Sequence, residues 1–405
     1  VQPVIWKRGG WLLAAAAIFA FSGCARQAGA PAETGTNQIS QGNGSGQGTD
    51  PSAGSAGGSG RLGEIEIFSD LPEEELPDYY LPEERQAADG MIRSYLTGQL
   101  IETAKGDRRP VAVMMSNDRE AQPQYGINRA GVVYEAPVEG GMNRFLAFLE
   151  DYDSLERIGS VRSCRTYYIY FAKEFDAIYA HYGQSTFARP YLEYADNING
   201  LEAIGTAAYY RSSDKKSPHN AYTSGQRLTE AIEKLGYSTA YDPAYAGHYL
   251  FARDGNDVSL EERPGVMDAA AAETGYLLNQ AYFLYDEEDG LYHRYQYGDV
   301  HQGDEGPVTA KNVIVQFCQS GYYASTEYLA FNVHTSEFGY FLTGGKAIPV
   351  SWEKEGEYGP TRYYDLDHRE IVLNQGQTWV CIISTRDYDK FRIMDKDGVQ
   401  QGNES

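Results

Sequence analysis

Between residues 25 and 60 the chain is built almost wholly from Gly, Ser, Ala, Thr, Gln and Asn, with Ile39 its one large aliphatic side chain. Such a composition cannot bury a core and behaves as a flexible coil. Any folded body must therefore come from the residues beyond it. What precedes the coil differs in kind. Lys7 and Arg8 lead into an apolar run from Trp11 to Phe21, and then Ser22-Gly23-Cys24, the order of a charged region, a hydrophobic region and a small-residue cleavage site. The run is shorter than the about 20 apolar residues of a spanning helix, and a polar, Gly-rich stretch follows where basic stop-transfer residues would stand. The reading is a lipoprotein signal peptide over 1–23 with acylation, palmitate included, at Cys24. A buried helix and an ordinary secretory signal are the alternatives, and Phe21 is a less usual opening residue than Leu. Several acyl chains on Cys24 meet the requirement for stable anchoring. They place the body on the extracytoplasmic face of a bacterial cell membrane.

Beyond the tether, 24–62, a five-residue unit repeats three times from Leu71 to Arg85, with Pro72, Pro77 and Pro82 in register. Regular proline disfavours helix and sheet, so 63–92 is expected to be an extended acidic spacer. Ten acids stand against one Arg between Glu64 and Asp89, a large part of a net charge of −23. So acidic a chain is repelled by nucleic acid and by anionic bilayers. The remaining length suits two domains of roughly 150 residues: an N-terminal α/β or α+β domain over 93–245, a connector over 246–274, a mostly antiparallel β domain over 275–392 and a tail over 393–405.

Local patterns carry that division. Val111 to Met115, Phe145 to Leu149 and Ala177 to Ala180 read as strands, and Thr166 to Phe175 as a helix. A second helix is expected after Thr223-Ser224, with Thr223 and Gln226 as a capping box and Gly236 closing it. After Gly275 the helical period disappears. Asp289-Gly290 between Tyr-rich runs predicts one hairpin, and Asn374-Gln375-Gly376-Gln377 predicts another. The 34 tyrosines suit half-buried strands more readily than a sugar-binding surface. With Cys24 set aside, Cys164, Cys318 and Cys381 form no framework, although a Cys318 to Cys381 bridge stays open. The seven scattered histidines show no metal-binding spacing, and no cofactor is implied.

Several ordered motifs carry a resemblance. Arg109 to Asn117, Val133 to Phe145, Gly159 to Arg165, Asp176 to His181, Pro218 to Asn220, Lys311 to Gln316 and Trp352 to Lys354 together resemble the YerB-like lipoproteins, catalogued as domain of unknown function 3048. The likeness covers nearly everything after Met91. It implies a two-domain lipoprotein and no established reaction. Cys164 stands where the resemblance implies a small residue such as Ala.

The candidate ligand-binding residues are Asn117, Glu135, Glu139, Arg144, Arg162, Arg165, His181, Arg211, His219 and Asn220. Arg162 and Arg165 precede a helix whose expected N-cap is Ser163, so guanidiniums and free backbone N–H groups converge on one anion. Arg211 to Asn220 carries a second basic cluster, with Lys215 and Lys216 expected to be merely solvated. The alternative is that the arginines pair with Glu135, Glu139 or Asp176 in a structural network. Glu135 and Glu139 also invite a paired-carboxylate reading, but on a straight strand they lie about 13 Å apart, outside either glycosidase geometry. Asn117 follows a buried strand, where open α/β sheets often bind ligands, although a loop-capping role is simpler. Cys164 with His181 as base resembles a thiol transpeptidase arrangement, but lacks the Gly expected before the Cys. Two classes remain: a lipoprotein binding an anionic envelope ligand, a cell-wall polymer or an envelope protein, and a wall-modifying hydrolase or transferase.

Overall fold

Long apolar runs without alternation belong in sheets covered on both faces, and the longest such runs build the middle of this protein. The computed structural model describes residues 77–354 and 356–402. Cys24, the Gly-rich tether and the first proline unit lie outside the described residues. In chain order the main elements are β1 (Val111–Ser116), β2 (Val132–Pro137), β3 (Asn143–Leu149), α1 (Thr166–Glu174), β4 (Ile178–His181), β5 (Asn197–Asn199) and α2 (Gly225–Leu235). They continue with β6 (Ala271–Glu273), β7 (Tyr282–Asp286), β8 (Leu291–Gln296), β9 (Asn312–Cys318), β10 (Ser336–Thr343), β11 (Lys346–Lys354), β12 (Thr378–Ser384) and β13 (Arg392–Met394).

Eleven strands form one sheet, in the order Met267–Asp268, β11, β10, β9, β12, β2, β3, β1, β4, β5, with Thr361–Tyr364 also on β11. The N-terminal half is mixed α/β and the C-terminal half mostly antiparallel. Both halves share this sheet: β12 from the end of the chain lies parallel to β2, with Cys381 opposite Glu135. Residues 246–274, read as a connector, supply the edge strand Met267–Asp268 and β6, and the tail region starts inside β13. The described residues all lie within one compact unit, Pro72–Asn403.

Alternation along β1 sends Val111, Val113 and Met115 to one face and Ala112 and Met114 to the other, and both sets are buried. The first face is covered by α2, through Leu228, Ala231 and Ile232, and by a second sheet through Phe283 of β7, Tyr292 of β8 and Ile393 of β13. The second face is covered by α1, through Tyr168 and Phe171, and the sheet's own Trp352 and Tyr363 add to that core. Cys381 lies in the first core and Cys318 in the second, and both are free thiols, so the sheet itself separates them.

Several local expectations are corrected. The cap of α2 is Ser224, whose Oγ accepts from the Arg227 N–H at 3.3 Å, because Thr223 has turned inward to donate to the Ala208 carbonyl at 2.7 Å. Gly236 does close that helix, at φ 72°. Ser163 does not cap α1. The N-cap is Arg165 without a side-chain bond, and Ser163 Oγ donates to the Tyr182 carbonyl. The 374–377 loop makes no hairpin, since Val372–Leu373 pairs in parallel with Leu250–Phe251. The Asp289-Gly290 turn does join β7 to β8. The last proline unit is not an extended spacer: Pro82–Arg85 is a 3-10 helix with Pro in its first turn, where its missing N–H costs nothing. Glu84 there accepts from Arg253, and Arg85 is buried.

Candidate functional site

Parallel pairing of β9 with β12, β12 with β2, β1 with β4 and β4 with β5 brings six carboxyl ends to one edge of the sheet. Antiparallel β3 begins there. Open α/β sheets bind ligands at this edge because the loops leaving the strands meet above it. Arg144, the second residue of β3, stands opposite both Ser116 and Ala136 at the ends of β1 and β2. The segment Val161–Cys164 threads between the ends of β1 and β4: the Arg162 N–H donates to the Met114 carbonyl at 2.8 Å, and the Cys164 N–H to that of Gly183 at 2.9 Å. The topology thereby gathers Arg144, Arg162 and Arg165.

The three arginines are not equivalent. Arg165 donates from Nε at 2.9 Å to both Glu139 oxygens and from Nη2 at 2.6 Å to Oε2. Burial works against each charge, but the pair outweighs it: Arg165 is raised and Glu139 lowered from their ordinary values. Arg144 is only 6% exposed and donates to the Ser163 carbonyl. Among the described residues no carboxylate lies within ion-pair distance of it or of Arg162. Burial first, then the charges of Arg165 and Arg162, bring Arg144 down to about 10. Arg162 is also lowered, chiefly by burial. Its Nη1 donates to the Pro218 carbonyl at 3.2 Å, while its buried Nε has no partner. Three guanidiniums thus have one carboxylate in hydrogen-bond contact, Glu139, while Asp118 acts on Arg162 from beyond ion-pair distance.

His219 lies beside this group. Its Nδ1 is 3.5 Å from Asp118 Oδ2 and 3.4 Å from Ser116 Oγ, and burial lowers its pKa. Arg211 and Asn220 close their own hairpin, with Nη1 donating to Asn220 Oδ1 at 2.7 Å. They stand apart from the three arginines in the bonding network. Lys215 is not merely solvated, since it donates to the Glu120 and Gln122 carbonyls.

The other candidates are held by the fold. Glu135 is fully buried and accepts from Arg294 at 2.9 and 2.8 Å, Asn143 at 2.9 Å, Asn279 at 2.8 Å and Trp379 at 3.1 Å. Asn117 completes the ring of donors at 3.4 Å. With every lone pair engaged and a buried guanidinium beside it, Glu135 is a structural counter-ion rather than half of an acid–base pair with Glu139. His181 is buried between the Gly183 carbonyl and Asn197. Burial pushes the Cys164 thiol up to about 12, so it carries no thiolate at neutral pH.

Next to the arginines a cavity of about 680 Å³ opens above the ends of β2, β9 and β12. Glu139 and Asn143 belong to its wall, with Tyr276, Ser384 and Arg386 opposite. Through Glu139 the cavity and Arg165 are in contact. Its C-terminal wall could not be read from sequence, because no local pattern announces that β12 lies beside β2. Asp286, Asp289 and His293 also come within ligating distance of one another. Their oxygens already accept turn amides, Asp286 from Glu288 and Asp289 from Leu291, so the hairpin accounts for them.

Two family descriptions match the chain: protein of unknown function (DUF3048) N-terminal domain over residues 96–238, and the corresponding C-terminal domain over 272–380. Together they take in more than half of it. The chain is 29% identical over 313 residues to "Putative lipoprotein YerB" of Bacillus subtilis (strain 168), across 76% of this chain and 90% of that protein. The crystal structure of the YerB protein from Bacillus subtilis is similar with a TM-score of 0.64 at 27% identity, covering 75% of this chain and all of that one.

Proposed function

The chain belongs to the DUF3048 family, and from that premise we propose that it is a lipoprotein, held through Cys24 on the outer face of a bacterial membrane, that binds an anionic ligand of the cell envelope at the arginine edge of its sheet. The likeness to a protein named as a lipoprotein supports the anchor, together with the charged, apolar and Ser-Gly-Cys order ahead of the tether. No helix among the described residues is long and apolar enough to cross a membrane.

The observation that carries the binding reading is the imbalance of charge: Arg165 and Arg162 both act on the buried Arg144, only Glu139 is close-paired, and Asp118 acts on Arg162 from beyond ion-pair distance. A buried guanidinium without a counter-ion is costly, and an anion gripped by two parallel hydrogen bonds relieves that cost. Carboxylates of peptide stems and phosphates of wall polymers have the required chemistry. Binding is favoured over turnover because each acid, base or nucleophile suggested by the sequence is engaged: Glu135 by Arg294, Glu139 by Arg165, His181 by Gly183 and Asn197, and Cys164 by burial.

Calorimetric titration of the chain with inorganic phosphate and with a D-alanyl-D-alanine peptide tests the reading. Arg162→Gln is expected to weaken binding by about 1.5–3 kcal/mol for a lost charged hydrogen bond while leaving the unfolding midpoint nearly unchanged. Equal affinity in parent and variant, or no heat with either probe in the parent, overturns it.

A further inference from the structure

A second cavity lies along α1 and has the opposite character. It is an open cleft of about 510 Å³, lined by six rings: Tyr167, Tyr170, Tyr191, Tyr323, Phe331 and His334. Sequence spacing explains the first two, since Tyr167 and Tyr170 stand three apart on α1 and project from one face. Tyr323 and Phe331 come from the ribbon that pairs Ser320–Tyr322 with Leu329–Phe331, and Tyr191 from the 3-10 helix Arg189–Tyr194.

An aromatic cluster that served only as core would close on itself. Here the rings meet edge to face, Tyr170 against Tyr191 at 5.8 Å and against His334 at 5.6 Å, and a ligand-sized space remains between them. Two rings are fixed at their rims: Tyr323 donates to Thr166 Oγ1 at 3.0 Å and Tyr167 donates to the Pro137 carbonyl. The polar lining is also distinctive. Asn332 Oδ1 and His334 Nδ1 are buried atoms of the lining with no protein partner. A buried polar atom left unbonded is costly, so a ligand group that bonds it relieves that cost. Among the described residues the one carboxylate on the lining is Glu357, and no Lys or Arg belongs to it.

We propose that this cleft is a saccharide-binding site taking a neutral sugar unit, separate from the anion site. Aromatic rings offer flat apolar surface to the C–H faces of a pyranose, while Asn332 Oδ1 and the Glu357 carboxylate accept from its hydroxyl or acetamido N–H groups. Glu357, with no cation near it on the lining, disfavours a phosphorylated or carboxylated unit. The cleft and the 680 Å³ cavity share Ser320 and Phe331 in their walls, so the two lie side by side.

The test is titration of the full chain with a β-1,4-linked N-acetylglucosamine tetramer, read by calorimetry and by saturation-transfer NMR. The parent is expected to bind it, with saturation strongest on ring-facing C–H protons. Asn332→Ala and Tyr191→Ala are each expected to weaken binding at least tenfold with an unchanged unfolding midpoint. Glu357→Gln serves as the second probe if either variant is unstable, with the same loss expected. Phosphate titration separates the two sites: these variants leave it unaltered, whereas Arg162→Gln changes it and spares the sugar. No saturation transfer to the parent at millimolar tetramer, or retention of full affinity in the folded variants, overturns the proposal.

Discussion

Glu135 and Arg294 tie the second sheet to the centre of the first, and separating them is expected to damage the protein more than any other single polar change. Both side chains are fully buried, and the carboxylate lies 2.8 Å from the guanidinium. Arg294→Met leaves the carboxylate with Asn143, Asn279 and Trp379 but no counter-charge; breaking a buried pair in this way costs about 3–5 kcal/mol. Glu135→Leu strands the guanidinium instead. It also leaves four neutral donors, Asn117, Asn143, Asn279 and Trp379, without their acceptor, each worth about 1–3 kcal/mol when unsatisfied, so its cost should exceed that of Arg294→Met. The double variant removes both charges and should fall short of the sum of the singles by at least about 1.5 kcal/mol. Urea unfolding, followed by far-UV circular dichroism, supplies all three values. Single variants that each lose less than 1 kcal/mol, or effects that add without coupling, would refute the role given to this pair.

Glu150 gives a pH dependence. Burial, opposed by a hydrogen bond from Ser94, raises its pKa from 4.5 to about 7. Between those values the folded state holds the proton that the unfolded state has released, so stability falls as pH rises through that window, by on the order of 3 kcal/mol at about 1.4 kcal/mol per unit. Glu150→Gln should flatten the profile and be the more stable form at pH 8; an unchanged slope counts against it. Limited proteolysis should leave a core that starts before Leu81, because Tyr79 bridges Ala252 and Arg253 holds Glu84; a stable core starting beyond Gly90 contradicts that packing. Cys24→Ala should abolish incorporation of a labelled fatty acid, and label retained on the variant removes Cys24 as the anchor.

The sequence made the central strands legible because each is a local run: Val111 to Met115 and Phe145 to Leu149 are too apolar and too short for anything but buried strands. It was weaker wherever a partner far along the chain decides. Thr223 and Ser224 are equally good caps by composition, and only the Ala208 carbonyl selects between them. Pro82 reads as a breaker until Glu84 and Arg253 show that the unit docks on the body. For the site, the spacing of Arg162 and Arg165 ahead of α1 was readable, but the pairing of Arg165 with Glu139 was one of several options. The isolation of Arg144 follows from the register of β3 between β1 and β2, which no local pattern contains. Tyrosine abundance pointed in two directions at once. Its meaning depends on which rings surround a space, and that is a property of α1 and the distant 320–331 ribbon together.

The central claim is that Arg144 and Arg162 hold an anion, and diffraction from crystals grown or soaked in selenate tests it most directly. Selenium scatters anomalously, so its position is read without interpreting weak density. The expected result is a peak within hydrogen-bond reach of guanidinium nitrogens of both Arg144 and Arg162, with Arg165 still paired to Glu139. The same experiment on Arg162→Gln should lose that peak. A parent crystal with no selenium at this edge, and with Arg162 turned onto Asp118 to close its own charge, would contradict the account.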